Sequence, residues 1–431
     1  MIENIQPVTE VKRQTLPIEE IIENELIETH FHPIISIKIK KTLGVEALSR
    51  GIDPRSGVLI PPALLFSEAA NRGLSLELDR ICRKVALRNF KKLHEKNPEL
   101  FLFINLDTSI LNKNVVGSGI LWKSVSDLEI NPKNVVIEII ESKVEDTNNL
   151  LTFIKTYKKT GFLIALDDVG AGHSNLDRIS LLRPDIIKID MMFVQGIHND
   201  FYKQELVRHL VRLSHNIRSL VVVEGIEDEH DAITSLELGV DLLQGFYISK
   251  PLPAEHLESK DASILVNNIA NDFQAHIKRC NTDRKSYFEN ISAIVDMMVE
   301  ELCNTSKNDL NEHLGSFLDI FPDIECVYLL DETGIQVSDT ICNFDPEKDV
   351  KNHLFHPAPC GTDHSLKNYF SFLHNTKQKR YITEPYISFA SGNMCITVSR
   401  RFYTTEGELW ILCIDLGCNS LVGNKDLFLS E

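Results

Sequence analysis

At 431 residues, 43% of them hydrophobic and 25% charged, the chain has enough apolar material for two globular cores. A net charge of −17 argues against unspecific binding to nucleic acid or anionic membranes, while leaving room for a small anionic ligand held by metals or a few placed cations. No run approaches the ~20 apolar residues of a membrane span. Residues 1–14 carry no apolar signal region, and nine cysteines without regular spacing fit a reduced compartment, so a cytoplasmic protein is expected.

In chain order, residues 1–15 read as a loose tail, and Pro17-Ile18-Glu19-Glu20-Ile21-Ile22 reads as a short helix with proline in its first turn. Strand-like runs follow at 31–39, 43–48, 101–106, 135–140, 163–166, 185–189, 220–223 and 242–248. Helical spacing separates most of them, as in Leu78, Ile81, Cys82, Val85 and Leu87, or Leu206, Val207, Leu210, Val211 and Leu213. Strands alternating with helices imply a parallel sheet, and about eight such units a closed TIM-like (β/α)8 barrel over 16–253. Pro251-Leu252-Pro253 ends the pattern.

Residues 254–304 read as a helical linker with two apolar stripes. One runs through Leu257, Ile264, Leu265, Ile269, Phe273 and Ile277, the other through Ile291, Ile294, Val295, Met298 and Leu302, with the polar stretch 280–285 as the place for a break. Such a helix between domains is a candidate dimer seam. Residues 305–431 read as a smaller α+β domain, with a hairpin at Cys326-Val327-Tyr328-Leu329-Leu330 before Asp331-Glu332-Thr333-Gly334 and strands at 381–389, 394–400 and 409–415. His353, His356, Cys360 and His364 have a spacing that can bind zinc, but Pro357 and Pro359 leave no regular scaffold and favour a polar loop. Cys395 and Cys413 read as core residues, and Asp415 as a strand end, in an ordinary turn or facing a sensor pocket.

Polar groups recur where the barrel strands end, the position at which such barrels gather their active groups. Glu46 follows Leu43-Gly44-Val45, and Asn105 ends 101–104. Glu138 lies within 135–140 with Glu141 beyond it; Asp167 and Asp168 end the next strand; Lys188 and Asp190 the one after; Glu224 follows Val221-Val222-Val223 and Gln244 follows Leu242-Leu243. Adjacent carboxylates at a buried strand end cost folding energy unless a cation or hydrogen bonds compensate them. Two of them can share a divalent metal, and a pair of such metals is a standard device for cleaving phosphodiesters.

With these residues in place the chain resembles the EAL-domain cyclic di-GMP phosphodiesterases. Glu46-Ala47-Leu48-Ser49-Arg50 is similar to the name motif, and Asp167-Asp168-Val169-Gly170-Ala171-Gly172 to the metal-binding DDFGTG segment. Residues 184–190, 223–227 and 244–247 resemble three further motifs in the expected order. The resemblance implies two ions, Mg²⁺ or Mn²⁺, with Glu46, Asn105, Glu138 and Asp167 as ligands of the first and Asp167, Asp168 and Glu224 at the second. It implies that Lys188, Glu224 and Gln244 serve the attacking water, that Leu48, Arg50, Asp190 and Gln244 contact substrate, and that Glu141 anchors a loop. The implied reaction is hydrolysis of cyclic di-GMP to linear pGpG; the alternative is a weak or inactive cyclic di-GMP receptor. Val169 and His173 replace the family's usual Phe and Tyr. The C-terminal domain resembles a PAS-like module of the Cache type, which implies an unidentified ligand or protein input. With the helical linker as seam a homodimer tuned by that module is expected, and the acidic charge gives no expectation of direct DNA or RNA binding.

Overall fold

The computed structural model describes residues 16–106, 119–140, 147–170, 176–257, 260–345 and 354–417. The chain divides into two units, Met1–His276 and Ile277–Glu431. In the first, β1 (Ile27–Ser36) and β2 (Lys41–Ile52) form an antiparallel hairpin, with β3 (Leu59–Ile60) paired to the far end of β2. Then come β4 (Phe101–Leu106), β5 (Val135–Ile140), β6 (Leu163–Val169), β7 (Ile186–Ile189), β8 (Leu220–Val223) and β9 (Leu242–Leu243). From β2 through β4 to β9 each strand is parallel to the next. β9 pairs with β1, and β1 with β2, which closes an eight-stranded barrel.

The closed TIM-like barrel is thus present, but it is not wholly parallel: β1 runs against both neighbours. The reason is the short link between β1 and β2, too short for the crossover of a dozen or more residues that parallel strands require. Helices cover the outside, among them α1 (Ile18–Glu23), α2 (Pro62–Asn71), α3 (Ser75–Lys96), α4 (Ile120–Asp127), α5 (Thr147–Lys159) and α6 (Leu176–Leu182). The short α7 (Met191–Val194) follows β7, and α8 (Phe201–Asn216) and α9 (Glu229–Glu237) start where their own sequence stops the chain. Asp200 accepts from the backbone N–H of Tyr202 and Lys203, and Asp228 from that of Asp231, satisfying donors that a helix start leaves open.

Inside the barrel, one apolar layer consists of Ile34, Phe103, Val136, Ala165, Ile186, Val222 and Leu242. β2 contributes Gly44, where a Cβ would stand 2.6 Å from the Phe103 ring, so glycine is what lets that ring lie in the layer. Alternate residues such as Val45, Ile104, Ile137, Leu166, Ile187 and Val223 face outward into the core shared with the helices. Each such buried side chain stabilises the fold by about 1.5–3 kcal/mol.

α10 (Lys260–Leu302) is continuous over 43 residues. The break expected at 280–285 does not occur: that stretch is polar but holds neither Gly nor Pro, and Thr282 Oγ1 donates back to the Lys278 carbonyl at 2.9 Å. Val266, Ile269 and Ala270 belong to the barrel core, and Ile291, Val295, Met298 and Leu302 to the core of the second unit. No described helix is long and apolar enough to cross a membrane.

The second unit contains α11 (Leu310–Ile320), β10 (Ile324–Asp331), β11 (Ile341–Cys342), α12 (Asn368–Thr376), β12 (Arg380–Ile382), β13 (Tyr386–Ile387), β14 (Met394–Tyr403) and β15 (Leu409–Gly417). The strands form an antiparallel sheet in the order β11-β10-β15-β14-β12, with β13 also on β14. The run expected at 381–389 is two strands, interrupted at Glu384-Pro385 because proline cannot donate to a ladder. Among the described residues His356, Cys360 and His364 do not converge as a metal-binding group; His364 Nδ1 instead lies 2.6 Å from the Tyr369 hydroxyl, and His353 lies outside the described residues.

Asp415 lies within β15 rather than in a turn at its end, and is buried. It accepts from Thr397 Oγ1 at 2.7 Å, and Thr397 also meets the Tyr386 hydroxyl at 2.6 Å. Burial, opposed by Thr397, pushes the Asp415 carboxyl up to about 7 from 3.8. Between about 4 and 7 the folded unit therefore holds a proton here that the unfolded chain has lost, so the stability this carboxyl contributes is full below about 4 and is lost as pH rises to about 7. Urea unfolding followed by Trp410 fluorescence in a Trp122→Phe background should show this slope, and Asp415→Asn should remove most of it. Equal slopes in both proteins would contradict the assignment.

Candidate active site

One inward step beyond the apolar layer, two residues further along each parallel strand, the lining turns polar. These positions are Glu46 after Gly44, Asn105 after Phe103, Glu138 after Val136, Asp167 after Ala165 and Lys188 after Ile186. Glu224 and Gln244 stand two beyond Val222 and Leu242. On β1, which runs the other way, the same layer falls two residues before Ile34, at His32, directly opposite Glu46 in the register. His32 is the member of this ring that the sequence reading lacks.

Lys188 is buried at its centre. Its Nζ lies 2.7 Å from Glu138, 3.1 Å from Asp167 and 3.6 Å from Glu46, and it also pairs with Glu224. Asn105 donates its amide to Glu46 at 3.2 Å and Glu138 at 3.0 Å, and Gln244 donates to Glu46 at 2.8 Å. Gln244 is held where its strand presses on the turn after Glu224: a Cβ on Gly245 would collide with the Ile226 backbone.

Adjacent residues on a regular strand point to opposite faces, so Asp167 and Asp168 should not share a site. A bulge resolves this. Leu166 pairs with Ile187 and Val169 with Ile189, so two aspartates oppose the single Lys188. Asp168 takes the left-handed conformation, φ 55°, one that Asp tolerates better than most residues. Asp167, Asp168 and Glu224 then each offer a carboxylate oxygen within 4.8 Å of the others.

The electrostatics follow from five carboxylates around one ammonium. Burial raises Glu138 well above the usual carboxylate range, with Glu46 adding to it. Burial likewise raises Asp167 despite Lys188, raises Asp168 with help from Asp167 and Asp190, and pushes Glu224 up to about 8. At Glu46 burial is outweighed by Lys188, Gln244 and His32, and the carboxyl is held below its usual value. The Lys188 ammonium is held well above its usual range by its carboxylates, against burial.

This donor set fits divalent cations. Its atoms are hard oxygens suited to Mg²⁺ or Mn²⁺, the negative charge exceeds what one lysine compensates, and buried Gln244 Oε1 and His32 Nε2 have no hydrogen-bond partner. Cation binding should therefore displace protons, and affinity for a divalent cation should rise as pH rises toward about 8, where the Glu224 carboxyl loses its proton. Calorimetry in buffers of different ionisation enthalpy measures the protons released; a pH-independent affinity with no release would contradict it.

The remaining expected residues are placed as follows. Leu48 and Arg50 continue the inward face of β2 beyond Glu46; Arg50 donates to the Ser49 carbonyl at 3.1 Å and contacts no carboxylate of the ring. Asp190 caps α7, accepting from Met192 N–H at 2.8 Å, and its charge reaches Asp168. Val169 is buried at the end of β6, and its carbonyl accepts from Asp190 N–H. Glu141 and His173 lie outside the described residues.

The family model for the EAL domain matches residues 15–251, more than half of the chain. The chain belongs to the EAL-domain family. It is 29% identical over 238 residues to the probable cyclic di-GMP phosphodiesterase PdeB of Escherichia coli, covering 55% of this chain and 45% of that one. It is 27% identical to the cyclic di-GMP phosphodiesterase RocR of Pseudomonas aeruginosa, covering 54% and 60%. The chain thus spans about half the length of these curated relatives. Similarity to the EAL-domain protein YkuI of Bacillus subtilis, 23% identical, runs over 93% of this chain and 96% of that one. The YkuI crystal structure, in complex with substrate c-di-GMP and calcium, matches with a TM-score of 0.76 over 93% of this chain and 99% of that one.

Proposed function

We propose that the first unit is a divalent-cation-dependent phosphodiesterase that opens cyclic di-GMP to linear pGpG. The observation that carries this reading is the convergence of four carboxylates on one buried ammonium, with Asp168 grouped beside two of them, in the barrel of an EAL-domain chain. Relatives named as cyclic di-GMP phosphodiesterases, and the YkuI complex with c-di-GMP and calcium, support it. In this reading Glu46, Asn105, Glu138 and Asp167 hold one Mg²⁺ or Mn²⁺, and Asp167, Asp168 and Glu224 a second. When bound, the ions supply Lewis acidity to the phosphate and make water a better nucleophile near neutral pH.

Lys188 places a fixed positive charge where negative charge grows on phosphorus. With Glu224 and Gln244 it orients the attacking water. Arg50 offers a planar guanidinium to a substrate phosphate, beside Leu48 and Asp190 at the nucleotide, and Glu141 anchors the loop after Asp168. The test is to incubate the purified protein with cyclic di-GMP and Mg²⁺ or Mn²⁺ and separate the products. The expected product is pGpG; tight binding with the nucleotide recovered intact would make the chain a receptor instead.

We further infer that the second unit is a Cache-type sensor and that the chain works as a homodimer, with the 43-residue α10 as the seam. The five-strand antiparallel path flanked by α11 and α12, and the match to YkuI over both units, support this reading. Truncation after His276 keeps Val266, Ile269 and Ala270 in the barrel core, and should change turnover, oligomeric state or both. Unchanged sedimentation and kinetics would make the second unit an independent passenger.

A further inference from the structure

Cys326 on β10 and Cys342 on β11 are direct partners across two antiparallel strands, with their sulfurs 3.0 Å apart. The next pair along, Glu325 and Asn343, is joined by a backbone hydrogen bond, Asn343 N–H donating to the Glu325 carbonyl at 2.9 Å. Cys326 and Cys342 therefore occupy the other kind of position, the non-hydrogen-bonded pair, whose Cα atoms stand about 4.5 Å apart. That separation lies inside the roughly 4.4–6.8 Å that a disulfide spans. The other buried strand cysteines lack this arrangement: on the β14–β15 ladder Cys395 faces Gly417 and Cys413 faces Ser399.

The two thiols differ in access. β11 is the edge of the sheet and Cys342 is partly exposed, whereas Cys326 is fully buried. We propose that Cys326 and Cys342 form a redox-active dithiol that a low-molecular-weight disulfide converts to a cross-strand disulfide. The Cys342 thiolate attacks one sulfur of the small disulfide and releases the first small thiolate. Cys326 then gives up its proton and attacks the Cys342 sulfur of the mixed disulfide, releasing the second. One S–S bond forms in the protein as one breaks in the small molecule. Two protein thiols are oxidised, the small disulfide is reduced to two thiols, and these take up both protons.

This order of events matches the surroundings. The hydrogen bond with Cys342, and then burial, hold the Cys326 thiol above its ordinary range, so it suits the resolving role, in which proximity replaces acidity. The product ties the two-residue edge strand β11 to β10, where backbone pairing is sparse.

The test equilibrates the full chain with oxidised glutathione, quenches and alkylates it under denaturing conditions, and weighs the digest. The expected species is a peptide pair joined through Cys326 and Cys342, two hydrogens lighter than the reduced pair, and restored by reduced glutathione. Cys326→Ser should trap glutathione on Cys342, and Cys342→Ser should leave Cys326 unmodified while the chain remains folded. Recovery of both residues as alkylated thiols would overturn the proposal, as would glutathione retained on Cys342 in the unsubstituted protein or either cysteine joined to a different partner.

Discussion

Glu46→Ala should reduce hydrolysis of cyclic di-GMP by about a thousandfold, the upper end of what removing one preorganised electrostatic group costs. Glu46 is a node of the ring: Asn105 and Gln244 both donate to it, Lys188 stands 3.6 Å away and His32 lies opposite. On the proposed ligand set, truncating it removes a cation ligand and frees two amides that donate to it. A chelator should produce the same loss in the unsubstituted protein, reversed by Mg²⁺ or Mn²⁺. Full turnover in a folded Glu46→Ala protein, with melting unchanged, would rule out this ligand assignment.

Lys188→Met should have the second large effect, and its expected signature is a split between rate and affinity. The ammonium pairs with four carboxylates, and in the proposed reaction it faces the phosphorus that gains charge. Its loss should lower kcat by about 10²–10³-fold, because it acts more strongly on the transition state than on bound substrate. Affinity for cyclic di-GMP should stay nearly unchanged. A raised KM with kcat intact would make Lys188 a binding residue only. The same variant leaves buried carboxylates without their cation, so the chelated protein should melt lower than unsubstituted protein, and added Mg²⁺ should close most of that gap.

Most of this site is legible in the chain because a barrel repeats one rule. Each parallel strand places an apolar residue inward and a polar one two positions later, so Phe103 and Asn105, Val136 and Glu138, and Ile186 and Lys188 announce the same layer. His32 escapes that rule because β1 is antiparallel, so its polar position precedes Ile34 instead of following it. The signal was the short link before β2, which fixes the direction of β1.

The side-by-side use of Asp167 and Asp168 is illegible for a different reason. Adjacency alone places them on opposite faces, and only the register against β7 reveals the extra residue that reunites them. In the second unit β11 is two residues long, with no alternation to mark it, so the partner of Cys326 is hidden until the hairpin is formed. The continuity of α10 through its polar middle reflects helix propensity without breakers, where polarity suggested an interruption.

The most direct test of the central claim is to run the reaction in heavy-oxygen water with Mg²⁺ and weigh the product. A ring that directs water at phosphorus predicts linear pGpG with a single heavy oxygen, carried on its terminal phosphate, formed only when a divalent cation is present. Cyclic di-GMP recovered unchanged, or a linear product without the heavy oxygen, would contradict it.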